Sequence, residues 1–353
     1  MDQRQPLVSA LYLFGDSTID PGNNNFLATI VKSNFPPYGR DFPYGQPTGR
    51  FTNGRLITDQ LSELLGLPDL LPASLDPEFQ GQKLLTGASF GSAASGYADS
   101  TSIPLIYSNE GPEISSDLLY LQNVLPLERQ VKNFRLYKVR LAKQFGHETA
   151  NRTISQALFA VSGGSNDFAN NYFINPLTRK KYTIKQFQDL LLKSLTVFIQ
   201  NVYNEGATTV AIVGLPPFGC LPSQITLHNI LENKCVEEFN EVASSFNSKI
   251  KALLKKIRPN FPGALIAYFD IYDKFFDIIK SPNKYGFEET RKGCCGTGLL
   301  ETSIACNPRT LTCPDPSKYV FWDSFHPTTK CYYYISSRGM RTVTETIRML
   351  NIQ

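Results

Sequence analysis

The chain has 353 residues, of which 42% are hydrophobic and 19% charged; 35 Lys and Arg against 31 Asp and Glu leave a formal net charge of +4. The apolar content excludes intrinsic disorder. So weak a charge makes no case for a nucleic-acid partner, and no apolar run approaches the roughly 18–20 residues of a membrane-spanning helix.

Five short apolar runs, rich in β-formers or closely followed by glycine, predict strands at Ala10–Phe14, Leu84–Phe90, Ala157–Ser162, Thr208–Val213 and Ala264–Phe269. Helical periodicity fills the gaps. Thr183–Asn204 places Phe187, Leu190, Leu191, Leu195 and Phe198 at three- and four-residue steps, and Val236–Ile257 repeats the pattern with Phe239, Ala243, Phe246 and Ile250. Strands alternating with helices imply βαβ units, hence an α/β fold with a doubly wound, mainly parallel sheet between helical layers. No linker composition appears, so residues 1–353 read as one domain. Its long insertions at Asn23–Arg55, Ala98–Asp117 and Ser281–Tyr319 are candidate pocket walls.

In such a sheet the chemistry is expected at the carboxyl ends of the strands. The first predicted strand runs through Phe14-Gly15-Asp16 into Ser17. Ser17 is a candidate nucleophile whose own N–H, with the N-terminus of a following helix, can face a developing oxyanion; the plainer reading is a helix N-cap. After the second strand, Gly91-Ser92-Ala93-Ala94-Ser95-Gly96 offers a further N–H donor, Gly96 as first choice and Gly91 as second, or simply a tight turn. The third strand ends in Ser162-Gly163-Gly164-Ser165-Asn166-Asp167, where the Asn166 amide could donate to the same oxyanion. The alternatives there are an Asx turn and a phosphate loop, the latter without the P-loop lysine.

There are only three histidines. His147 reads as a loop residue and His228 as a surface residue. His326 follows Asp323 by three positions, close enough for the carboxylate to fix the imidazole tautomer and stabilise the imidazolium; the alternative is an Asp capping the final helix beside a packed His.

Of seven cysteines, Cys220 and Cys235 bracket one loop and are expected to pair. Cys294, Cys295, Cys306 and Cys313 fall among Gly and Pro in the last insertion, where at least two should be bonded, leaving Cys331 as the candidate free thiol. Zinc would prefer two CxxC-type pairs, which these spacings do not supply. Disulfides imply an oxidising compartment. The sequon at Asn151 fits a secreted glycoprotein, and the absence of a signal core in residues 1–4 fits a leader already removed; a vacuole or another secretory compartment is the alternative.

Taken in order, Ser17 in FGDS, the glycine of SAASG, Asn166 in GSND, and Asp323 with His326 in DSFH resemble the plant GDSL-type esterase/lipase family of the SGNH hydrolase superfamily. So do DPGNNN from Asp20, FPPYGRDFP from Phe35, TGRFTNGR from Thr48, GLPPFGCLP from Gly214, CCGTG from Cys294 and FWDSFHPT from Phe321; the resemblance runs from about Ala10 to Arg348. Thr18 stands where the family's name has Leu, and Gly91 where Ala is usual. The resemblance implies a flavodoxin-like three-layer sandwich with a five-stranded sheet. It implies Ser17 as nucleophile, His326 as base, Asp323 as its orienting partner, and an oxyanion hole from the Ser17 and Gly96 N–H groups and Asn166. It implies no cofactor or metal. The expected substrate is a small ester with an apolar acyl group, held by insertion residues such as Phe35, Tyr38, Ile103, Leu105 and Tyr107. A monomer is favoured. Alternatives are an acyltransferase passing the acyl group to an alcohol, and a silent secreted binding protein.

Overall fold

The computed structural model describes residues 6–102 and 123–336. Five strands, β1 (Leu11–Gly15), β2 (Gly87–Ser89), β3 (Leu158–Ser162), β4 (Thr209–Val213) and β5 (Leu265–Phe269), form an all-parallel sheet in the order β2-β1-β3-β4-β5. This is the doubly wound order with its switch point between β1 and β3. β2 to β5 lie within the predicted runs, and β1 passes the end of its run by one residue, Gly15. β2 is the short one, because Gly81–Thr86 coils into a 3₁₀ turn instead of extending.

The sheet's two faces differ. One carries Tyr12, Phe14, Phe159, Val161, Val210 and Ile212, all buried, under the helices Leu127–Phe145, Ile184–Asn204 and Glu237–Ile257. Tyr12 meets Phe134 at 5.1 Å between ring centroids, and Phe14 meets Phe198 at 5.2 Å. The helix Ile184–Asn204 starts where its sequence says, with Thr183 and Gln186 closing a reciprocal capping box. The helix Leu127–Phe145, crowded with charge, does not announce itself. On the other face Leu11, Leu13, Leu158, Ala160 and Ala211 meet Leu61 of the helix Ile57–Leu64, together with Leu65, Leu67 and Leu71.

Two expectations are corrected. No helix follows Ser17: Asp20 accepts from the Gly22 and Asn23 N–H groups and turns the chain through Pro21-Gly22 into a single 3₁₀ turn at Asn23–Phe26. Ser17 is therefore neither an N-cap nor at a helix dipole. His147 is not in a loop but opens the helix His147–Ser155, which Gly146 separates from the preceding one. Asn151 is exposed on that helix. Among the described residues no helix is long and apolar enough to cross a membrane.

A small second sheet pairs β6 (Glu289–Gly293) with β7 (Tyr319–Phe321). Disulfides Cys294–Cys313 and Cys295–Cys306 staple the insertion between these strands, Cys220–Cys235 closes the other loop, and Cys331 is free and buried. The Cys294 and Cys295 N–H groups bond the carbonyls of Phe321 and Trp322. Gly293 lies so close to Asp323 that a Cβ would come within 2.6 Å of its backbone. The CCGTG segment thus props the chain at Asp323. Loss of a native disulfide typically costs about 2–5 kcal/mol. A strong phosphine reductant should accordingly lower the denaturation midpoint in urea, and non-reducing peptide mapping should recover the three pairs above.

Candidate active site

Gly15 ends β1 at φ +132°, so close to β3 that a Cβ would overlap the Ser162 carbonyl. A side chain there would push the strands apart, which is why the strand ends in glycine before the Asp16-Ser17 turn. Asp16 is buried and accepts from the N–H and Oγ1 of Thr18 at 3.0 and 2.8 Å; the Thr18 hydroxyl also sits 3.0 Å from Ser162 Oγ. Thr18, the departure from the family's name, therefore ties the turn to β3. Burial raises the Asp16 carboxyl pKa, against the hydrogen bonds of Thr18 and the charge of His326.

The structure brings Ser17, His326 and Asp323 together across more than three hundred residues of chain. His326 Nε2 lies 2.8 Å from Ser17 Oγ, and its Nδ1 lies 2.8 and 2.9 Å from the two Asp323 oxygens. The DSFH segment is a tight loop: the Trp322 N–H bonds the His326 carbonyl, and Phe321 bridges to Pro327. Asp323 does not cap the final helix, which begins at 329. Its Oδ1 instead accepts the Phe325 and His326 N–H groups at 2.8 and 2.7 Å. Burial by itself pushes the Asp323 carboxyl pKa up; the opposed His326 charge, its hydrogen bond and those two N–H groups outweigh this and hold it below the usual range.

Two further partners of this group were not legible in the sequence. The Tyr38 hydroxyl donates to Asp323 Oδ2 at 2.7 Å and itself accepts the Ser303 N–H, while Thr302 Oγ1 donates to the same oxygen at 3.1 Å. Tyr38 was expected to line the pocket; it is fully buried behind His326, among Phe51 and Trp322. Gln130 accepts the Gly15 N–H and donates to the Gly15 and Leu125 carbonyls and Ser95 Oγ, locking the end of β1 to the loop after β2.

That loop is held from three sides. Asp20 Oδ2 accepts the Ala93 N–H, and Asn24 Nδ2 donates to the Ala93 carbonyl. Asp167 accepts from the Tyr97 and Ala98 N–H groups and from Thr101 Oγ1. DPGNNN and the Asp of GSND are thus scaffolding. Asn166, beside Asp167, lines the cavity, its Nδ2 donating to the Ser95 carbonyl at 2.9 Å. The two glycine candidates do not line it. The Gly91 N–H is taken by Ser89 Oγ, and Gly96 sits against Asp167, whose carboxylate leaves no room for a Cβ. Ala93 and Ala94 form that part of the wall, Ala94 with φ +67°. Among the described residues the N–H groups of Ser17 and Ala94 have no acceptor.

The cavity measures about 350 Å³, and Ser17, Asn166 and His326 line it. Of the insertions, Val31, Phe51, Thr302 and Ser303 contribute to its wall, and the rest is built from the sheet, the loops at the carboxyl ends of its strands, the DSFH loop and neighbouring helices. Phe35 does not line it, and Ile103, Leu105 and Tyr107 lie outside the described residues. Neither His147 nor His228 reaches it; His228 is exposed, its ring against Phe239.

Residues 11–338 match the family model of GDSL-like lipase/acylhydrolase. The chain belongs to that family. It is 41% identical over 350 residues to GDSL esterase/lipase At5g45960 of Arabidopsis thaliana, covering 98% of this chain and 88% of the relative. GDSL esterase/lipase At5g22810 is 44% identical over 92% of this chain and 86% of its own length, and GDSL esterase/lipase APG 43% identical over 91% and 87%, both from the same plant. This GDSL family membership makes the chain an ester hydrolase by kinship, with small esters as its substrate class. Its disulfides and its plant relatives are compatible with secretion.

Proposed function

We propose that the protein is a serine esterase that cleaves carboxylic esters through an acyl-enzyme on Ser17. The observation that carries this is the unbroken line of short contacts from Ser17 Oγ through His326 to Asp323, with Ser17 and His326 in the wall of an apolar cavity. His326 takes the Ser17 proton as Oγ attacks the ester carbonyl. Asp323, steadied by Tyr38, holds Nδ1–H and stabilises the imidazolium. The oxyanion rests on the Ser17 and Ala94 N–H groups and the Asn166 amide, Ala94 replacing the glycines considered first. His326 then protonates the leaving alcohol, and water frees the acid by the same route reversed. The setting is a secreted protein, glycosylated at Asn151, acting as one domain.

Fluorophosphonate labelling followed by peptide mapping tests the reading: the label should sit on Ser17. An unlabelled protein would be the silent binding protein instead. Supplying one acyl donor with increasing alcohol then asks whether water or the alcohol captures the acyl group, and capture mainly by a physiological alcohol would make the protein an acyltransferase. Asn166→Ala should lower kcat by about 10²–10³, as for loss of one preorganised donor, with KM changed much less. A change confined to KM would show that Asn166 only binds the ground state.

A further inference from the structure

The cavity does not stop beneath Ser17. Leu13, Ala160, Ala211 and Ala267 lie side by side in one register row across β1, β3, β4 and β5 and therefore share a face. The cavity is lined by Ser162 and Val213 above this row, by Ala160 and Ala211 in it, and by Leu158 below it. From Ser162 to Leu158 is four residues of β3, a descent of about 13 Å. The opposite wall is Leu61 of the helix Ile57–Leu64 and Ile335 of the helix that begins at 329.

The slot exists because two of the residues facing it at mid-sheet, Ala160 and Ala211, are small. On the other face, Phe159 and Ile212 are sealed at 0% exposure; Ala160 and Ala211, one position along the same strands, retain 6% and 7%. Side chains of Leu or Phe size at both positions would fill the space, as the aromatics do on the far face.

We propose that this slot holds the acyl chain of the substrate, that the substrate is an ester of a linear, medium-length fatty acid, and that Ala160 and Ala211 set the length accepted. The proposal rests on the esterase reading and extends it to a substrate class. Among the described residues the apolar wall formed by Val213, Ala160, Ala211 and Leu158 leads the chain of an ester held at Ser17 down the sheet. An extended chain advances about 1.2 Å per bond, so a 13 Å descent takes about ten carbons. The volume, about 350 Å³, suits such a single chain and is at the small end of the roughly 300–1,000 Å³ range of ligand sites.

The test is a series of p-nitrophenyl esters from acetate to palmitate. In the wild type, kcat/KM should climb by up to about fourfold per added methylene as each is buried, and stop climbing near ten carbons. Ala211→Leu and Ala160→Leu should each lower the decanoate-to-acetate ratio of kcat/KM at least tenfold. The ratio cancels the fraction of enzyme that folds, so a poorly folding variant still reports. A flat chain-length profile, or an unchanged ratio in both variants, overturns the slot and leaves the esterase reading standing. If the wild type cleaves no ester, the esterase reading fails. The slot is then judged by decanoate alone, which should raise the melting temperature of the wild type and not of Ala211→Leu; no shift in the wild type would overturn it.

Discussion

Ser17→Ala should give a folded protein whose ester hydrolysis falls by about 10⁴-fold or more. The change removes one oxygen from a turn whose shape is set elsewhere, by Gly15 against Ser162, by Asp16 with Thr18, and by Gln130 on the end of β1. Among the described residues His326 is the one hydrogen-bond partner of the Ser17 hydroxyl, so no other hydrogen bond there is lost. The melting temperature should accordingly stay close to that of the wild type, which separates a chemical loss from a structural one. Ester cleavage at the wild-type rate in the variant would remove Ser17 from the mechanism and return the Ser–His contact to a packing role.

The sheet and the side chains that meet at Ser17 were legible because each is written locally. A short run such as Leu11-Tyr12-Leu13-Phe14 ending in Gly15 reads as a buried strand meeting a tight turn, and Asp323 and His326 are three residues apart. The supports were not legible, because they come from distant segments and are chemically ordinary. Tyr38 reaches Asp323 across 285 positions and Gln130 reaches Gly15 across 115. Nothing in FPPYGRDFP or in a charged helix announces such a task.

Neither glycine considered for the oxyanion hole lines the cavity, for a related reason. Gly96 looked like an oxyanion donor because glycine permits close backbone approach, and it does so here, but toward the Asp167 carboxylate. Ala94 carries a Cβ in the left-handed region, which few non-glycine residues adopt, so sequence logic passes over it. The pocket walls were legible only in part, since Val31, Phe51, Thr302 and Ser303 of the insertions contribute but the sheet floor was not foreseen. Ala160 and Ala211 are unremarkable in their strands until register sets them side by side, while Phe35 and Tyr38, the conspicuous aromatics, pack elsewhere.

His326→Ala should be about as damaging as Ser17→Ala, and the double variant little worse than either. The reason is geometric. With Nε2 at 2.8 Å from Ser17 Oγ and Nδ1 on Asp323, the serine proton has one basic destination, and the other two histidines are outside the cavity. Without the imidazole the hydroxyl stays protonated and a poor nucleophile; without the hydroxyl the imidazole has no proton to move. Each single loss therefore already removes the joint function, as in other units of this kind, where single and multiple deletions cost about the same 10⁴–10⁶-fold. Measuring kcat/KM for the two single variants and the double closes the cycle. Losses that multiplied would mean that Ser17 and His326 act independently, and a silent His228→Ala beside an active His326→Ala would move the base to the Cys220–Cys235 loop. His147→Ala and His228→Ala should each change activity by no more than a few-fold, since His147 opens a remote helix and His228 only packs on Phe239.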